Sequence, residues 1–240
     1  MNLWHRPLTA NELRQCLRIA FGCTLGFVLC KIFGWSNGVF FTVTPVLLLG
    51  MIPVMNGHAA RQLIASAAMC GLEVGLLGGL FGSHPGLMLP IVFLLFLYRF
   101  AAMSRGSLFL FGANGVLSLS IMLHFASYPE TDLNDLIFSN LWASVLSVLI
   151  AYLMTALIPD VEARPAPTPS PKAPHRMRHE ALLGASIATL SFLVFQLFDL
   201  RDSMSAQATT LLVLFPMHWD GALSYARKRA MGTLLGVSFG

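Results

Sequence analysis

Nine apolar stretches run along this 240-residue chain, and almost every basic residue stands on one side of the barrier they imply. They read as 13–33, 38–55, 62–82, 86–103, 107–127, 136–158, 181–199, 203–219 and 229–240. A helix rises about 1.5 Å per residue, so most of them are long enough to cross a hydrocarbon layer of about 30 Å. Their separators carry turn chemistry, as in Gly34-Trp35-Ser36-Asn37-Gly38 and Tyr128-Pro129-Glu130-Thr131-Asp132. With crossings alternating from a cytoplasmic N-terminus, only Lys31 and Arg201 of the fifteen Lys and Arg residues fall outside. Glu130, Asp132, Asp135, Asp199 and Asp202 gather in the outside loops. That asymmetry is expected of a multi-pass protein of a bacterial cell inner membrane with its N-terminus inside. The expected fold class is an all-α integral membrane protein, a polytopic bundle of about nine transmembrane helices.

Composition agrees: 56% of residues are hydrophobic and 11% charged, against about 25% charged in soluble domains. The net charge of +4 is not gathered on one polar face. It is stationed beside apolar runs, where topology and anionic headgroups account for it. Membrane lipid is therefore the expected partner of these charges, and no nucleic acid is.

Between Asp160 and Glu180 five prolines fall from Pro165 to Pro174, a stretch that favours extended conformations and builds no packed core. The residues after this stretch echo those at the start of the chain. Pro53 and Asn56-Gly57 lead to Arg61 and then to Gly71, Gly75 and Gly79 at four-residue spacing. Pro216 and Asp220-Gly221 lead to Arg227-Lys228-Arg229 and then to Gly232, Gly236 and Gly240. The order of features argues for an internal repeat, as many transporters have. The chain thus reads as a first six-helix membrane repeat over 1–159, a cytoplasmic linker over 160–180, and the start of a second repeat over 181–240. On this reading the chain is a truncated piece of a twelve-helix protein, stopping inside the third helix of the second repeat.

The motif Arg229-x-x-Gly232-Thr233-x-x-Gly236, after a Thr-bearing helix and a short turn, resembles the fusaric acid resistance and aromatic acid exporter superfamily. The first copy, Arg61 to Ala65 and Ala68, lacks the glycines at those places but keeps small residues. The short linker looks like the compact branch of that superfamily, inner-membrane proteins carrying a domain of unknown function. The resemblance implies an efflux protein, similar to exporters of aromatic carboxylic acids, working with a periplasmic adaptor of the membrane-fusion type.

Glu73 is the one acidic residue placed deep in a span. A charge at the centre of a membrane helix costs about 2.5–3.5 kcal/mol on insertion scales, so it faces protein or water. It is the candidate for proton coupling; a protonated carboxyl bonded to a neighbouring helix would satisfy the same position. Arg61, Arg227 and Arg229 are candidates for drawing an organic anion to a cytoplasmic mouth, although topology alone also asks for positive charge there. Thr42, Thr44, Asn114, Gln207, Thr209 and Thr210 are candidate cavity-lining residues, and ordinary bonding between helices explains them as well. Gly71, Gly75, Gly79, Gly232 and Gly236 are expected to let helices approach closely, as are Gly22 and Gly26. Asn56 and Asp220 are expected to cap the helices after them. Cys16, Cys23 and Cys30 recur every seven residues, about 10.5 Å of rise, too far apart to share a metal or a disulfide.

No phosphate-binding loop of the form G-x-x-x-x-G-K-[ST] and no H-E-x-x-H occurs. The chain is not expected to be an enzyme, to have catalytic residues, or to hold a metal or cofactor. The expected function is proton-driven export of small organic anions, with aromatic carboxylic acids or toxic compounds as candidate substrates and a homo-oligomer as one arrangement. A non-transporting membrane scaffold and a passive anion channel are the alternatives.

Overall fold

An unpaired backbone N–H or C=O costs several kcal/mol in hydrocarbon, so a chain crossing lipid must pair these groups within itself. The computed structural model describes residues 8–52, 55–81, 85–128, 130–162, 164, 172–198, 204–215 and 219–239, and their regular structure is α-helix alone. In chain order the helices are α1 (Ala10–Ile32), α2 (Gly38–Met51), α3 (Gly57–Phe81), α4 (Pro85–Ser104) and α5 (Phe109–Ala126). The remainder are α6 (Leu133–Leu157), α7 (Pro174–Leu197), α8 (Met204–Leu214) and α9 (Trp219–Phe239). Six of them, α1 and α3 to α7, are long and apolar enough to cross a membrane. α2, with 14 residues, is shorter, and so are the 11 residues of α8. α9 carries Asp220, Arg227, Lys228 and Arg229 in its first half. Large apolar side chains point outward throughout: Ile32 is 70% exposed, Leu72 69% and Leu197 71%. A surface this greasy belongs in lipid. The protein is a polytopic helical membrane protein.

Three helices start well before their expected positions. α7 begins at Pro174, inside the stretch expected to be linker, because proline at the first helical position needs no N–H and the Arg176–Glu180 pair supports the next turn. Of the rest of that expected linker, residues 163 and 165–171 lie outside the described residues. α9 begins at Trp219 instead of near position 229, since its basic run continues the helix without a breaker. α3 also starts early, at Gly57, where the Asn56 side chain accepts from the Ala59 N–H at 2.8 Å, as a cap should.

The chain forms two compact units, Met1–Gly75 with Asp132–Pro169, and Leu76–Thr131 with Ser170–Gly240. In the first unit α1, α2 and α6 pack on one another. α1 buries Arg18, Gly22, Gly26 and Cys30, one residue in every four, which is one stripe of the helix. A Cβ on Gly22 would stand 2.6 Å from Leu49 of α2 and 3.3 Å from Ile150 of α6. Helices in lipid gain from such close van der Waals fit, because moving an apolar side chain from lipid to a helix partner brings little else.

The two ends of this unit differ chemically. At one, Asn37 donates to Asp135 at 3.0 Å, Ser139 donates to the Ser36 carbonyl, and Trp35 sits between Phe33, Phe41 and Trp142 with centroids 4.9 to 6.1 Å away. At the other, Arg14 donates to the Pro159 carbonyl, Arg18 pairs with Asp160, and Arg164 pairs with Asp160 at 3.0 Å. Aromatic residues and arginines both favour the membrane–water boundary, so these clusters mark the two faces.

In the second unit α4 packs on α5 and α7, and α5 on α8. A Cβ on Gly112 of α5 would stand 2.6 Å from the Met103 nitrogen, so the α4 backbone lies against that glycine. Gly184 of α7 gives the Phe100 ring its place in the same way. Gln196 of α7 donates to Ser127, just beyond α5, at 2.9 Å.

Candidate functional site

α3 carries a polar face through an apolar helix. His58, Gln62, Ser66, Cys70 and Glu73 fall within about 120° of arc and span about 22 Å of rise. His58 Nε2 lies 2.6 Å from the Gln62 side-chain nitrogen; Ser66 and Cys70 are fully buried, and Glu73 is half-buried. Another face of α3 meets α6. Asn140 donates to the Ala67 carbonyl at 3.3 Å, and a Cβ on Gly71 would stand 2.8 Å from Ile137. Glu73 therefore projects about 160° around the helix from Gly71. The buried α6 hydroxyls of Ser144 and Ser147 bond their own helix, to the Asn140 and Ala143 carbonyls. Among these α6 groups, Asn140 is the one that reaches across.

A carboxyl group in such a setting can carry a proton.

The other expected residues are distributed between the units. In the first, Arg61 is exposed and donates to the Gly57 carbonyl of its own helix at 3.3 Å. Thr42 bonds back to the Gly38 carbonyl at 2.9 Å, and Thr44 is buried beside Pro45. In the second, Arg229 reaches the Thr209 hydroxyl at 2.9 Å and lies over the Tyr225 ring at 5.9 Å, so an expected anion contact and an expected cavity residue meet. Arg227 is exposed, Thr210 lies part-buried on α8, and Asn114 is buried in α5. Gln207 falls on α8, Gly79 on α3 and Asp220 on α9, with their surroundings outside the described residues. Gly71 and Gly75 pack against Ile137. Gly232 and Gly236 meet open space where a Cβ would stand, so the close packing expected of them is not made by the described residues of this chain.

Three groups are missing from the expected set. Arg18 is buried with Asp160, 142 positions away, and spacing alone gives no hint of the pair. Asn140 reads in sequence as one polar residue among many. Arg99 is fully buried, its guanidinium 4.8 Å from the Phe111 ring and 5.6 Å from Tyr98. An arginine four residues inside an apolar run is the available signal for that one.

A family model described as "Protein of unknown function (DUF2955)" matches residues 15–154, from α1 into α6. No curated protein and no solved structure matches the chain.

Proposed function

The chain belongs to the DUF2955 family, whose matched region holds the whole polar face of α3, and from that footing we propose that it is a proton-driven exporter of small organic anions. The observation that carries the reading is Glu73 with His58, Gln62 and Ser66 on one face of a membrane helix. Ionisable residues at membrane depth are rare, and they mark ion and proton paths in pumps and transporters. In this reading the protein sits in a bacterial inner membrane with the Arg14–Arg18–Arg164 end in the cytoplasm, by the positive-inside rule. The shorter α2 and α8 and the more polar α9 complete nine crossings, and α7 to α9 open a second repeat.

Arg61 of the first unit and Arg227 of the second are each exposed and able to draw an anion from the cytoplasm, while Arg229 is held by Thr209. Protonation of Glu73 in one state and its release in another, where the side chain meets water, would supply the coupling. The resemblance to aromatic acid exporters makes an aromatic carboxylate the substrate class and a periplasmic adaptor the partner. The test is efflux of preloaded benzoic and cinnamic acids from cells expressing the chain. Efflux should stop when a protonophore collapses the gradient. Efflux that continues down the anion's own gradient would instead identify a channel, and none at all a scaffold.

A further inference from the structure

A groove of about 420 Å3 opens between the C-terminal end of α4 and the first turns of α7. It is lined by Leu97, Ala101, Ser104 and Arg105 from the α4 side and by Pro174, Met177, Arg178, Ala181 and Leu182 of α7. Its origin is a matter of side-chain size. Gly184 closes α7 onto Phe100, and beyond that contact the facing positions are Ala101 and Ala181, too small to fill the space. The volume lies within the roughly 300–1,000 Å3 usual for small-ligand sites.

The charges around it are sorted. Lys172 and Arg176 are both spent on Glu180, at 2.7 and 3.1 Å, and Glu180 does not line the groove. Arg105 and Arg178 do line it, are exposed, and make no side-chain hydrogen bond or ion pair among the described residues. Two cations thus stand over an apolar floor, with no acidic residue among the groove's lining.

We propose that this groove binds an anionic phospholipid, its phosphate between Arg105 and Arg178 and an acyl chain along the apolar wall. Depth favours a lipid over a soluble anion. Arg105 lies just past the end of one membrane-crossing helix and Arg178 in the second turn of another, which is headgroup level. The wall also continues outward: Leu94, one face with Leu97, Ala101 and Arg105, is 58% exposed, and Leu182 and Leu183 are 49% and 52% exposed. A small soluble anion would leave that surface uncovered, whereas an acyl chain runs along it. Basic pockets between membrane helices are established phosphate-headgroup sites.

The experiment is native mass spectrometry of the full chain in mild detergent, offered dioleoylphosphatidylglycerol and dioleoylphosphatidylcholine in equal amounts. The wild type should retain the anionic lipid in excess. Arg105→Gln and Arg178→Gln should each cut that excess about five-fold, as expected for about 1 kcal/mol per basic residue at a membrane surface. Lys31→Gln, an equal loss of charge at an exposed site in the other unit, should leave it unchanged, and circular dichroism checks that each variant is folded. Inorganic phosphate and benzoate, added as competitors, should fail to displace the lipid at equal concentration. Equal retention of both lipids, full excess in both arginine variants, or displacement by either small anion overturns the proposal.

Discussion

Gly26 of α1 lies directly against the carbonyl oxygen of Phe41 in α2. Pro45, four residues further on, has no N–H to offer that oxygen, so α2 has a carbonyl its own helix leaves short of a donor. The glycine lets the α1 backbone close over it, where a Cα–H contact is the remaining company. Gly26→Ala places a methyl on a backbone atom that cannot swing aside. The expected loss is about 1–3 kcal/mol, read as a lower midpoint of thermal unfolding in detergent. Gly232→Ala, at a site with open space, should stay within about 0.5 kcal/mol of wild type. Equal losses at the two glycines would contradict the packing described.

A second glycine tests whether the obstacle is a side chain. The Cβ of Gly71→Ala would meet Ile137 Cγ2, which belongs to a branched side chain with some freedom. Gly71→Ala should therefore destabilise less than Gly26→Ala, and Ile137→Leu in the same chain, which removes the branch at Cβ, should restore part of the loss. No rescue in the double variant would show that α3 and α6 do not meet there.

Arg18 and Asp160 tie α1 to the residues after α6, with both side chains largely out of water. Removing one partner of a buried pair strands the other, at a cost of about 3–5 kcal/mol. Arg18→Ala should show most of that loss in a denaturation series. Asp160→Asn should lose more still in the refolded yield, since Arg18 and Arg164 would then face each other without their shared carboxylate. Additive effects in a double-mutant cycle would argue against the pair.

The spans are legible because lipid tolerates few alternatives to long apolar runs, and the expected limits of α1, α4, α5 and α6 fall within three residues of those observed. Gly22 and Gly26 can be read as packing sites from their spacing alone, and Glu73 stands out as an acid among apolar neighbours. α7 and α9 read too short because Arg176 to Glu180 and Ala226 to Arg229 look like loop by hydropathy. Local helix-forming residues decide such stretches, and hydrophobicity does not. The Arg18–Asp160 pair and the groove between α4 and α7 depend on which distant helices meet. A single sequence carries no record of that.

Orientation is written in the two chemically distinct ends of the first unit. In a background free of Cys16, Cys23, Cys30 and Cys70, Ser36→Cys should react with a membrane-impermeant maleimide added to intact spheroplasts. Val161→Cys, near the arginine cluster, should react only after the membrane is opened. The reverse pattern would invert the orientation and with it the proposed direction of transport.

The polar face of α3 is where transport and proton movement would be joined, and reconstituted vesicles test it most directly. Proteoliposomes loaded with a pH-sensitive dye, given an outward anion gradient of 4-hydroxybenzoate, should show a proton flux opposite to the acid that vanishes in a protonophore control. Glu73→Gln should abolish that flux while the protein still reconstitutes at normal yield. An unchanged proton signal in Glu73→Gln would remove this carboxyl group from the mechanism and contradict the proposed coupling.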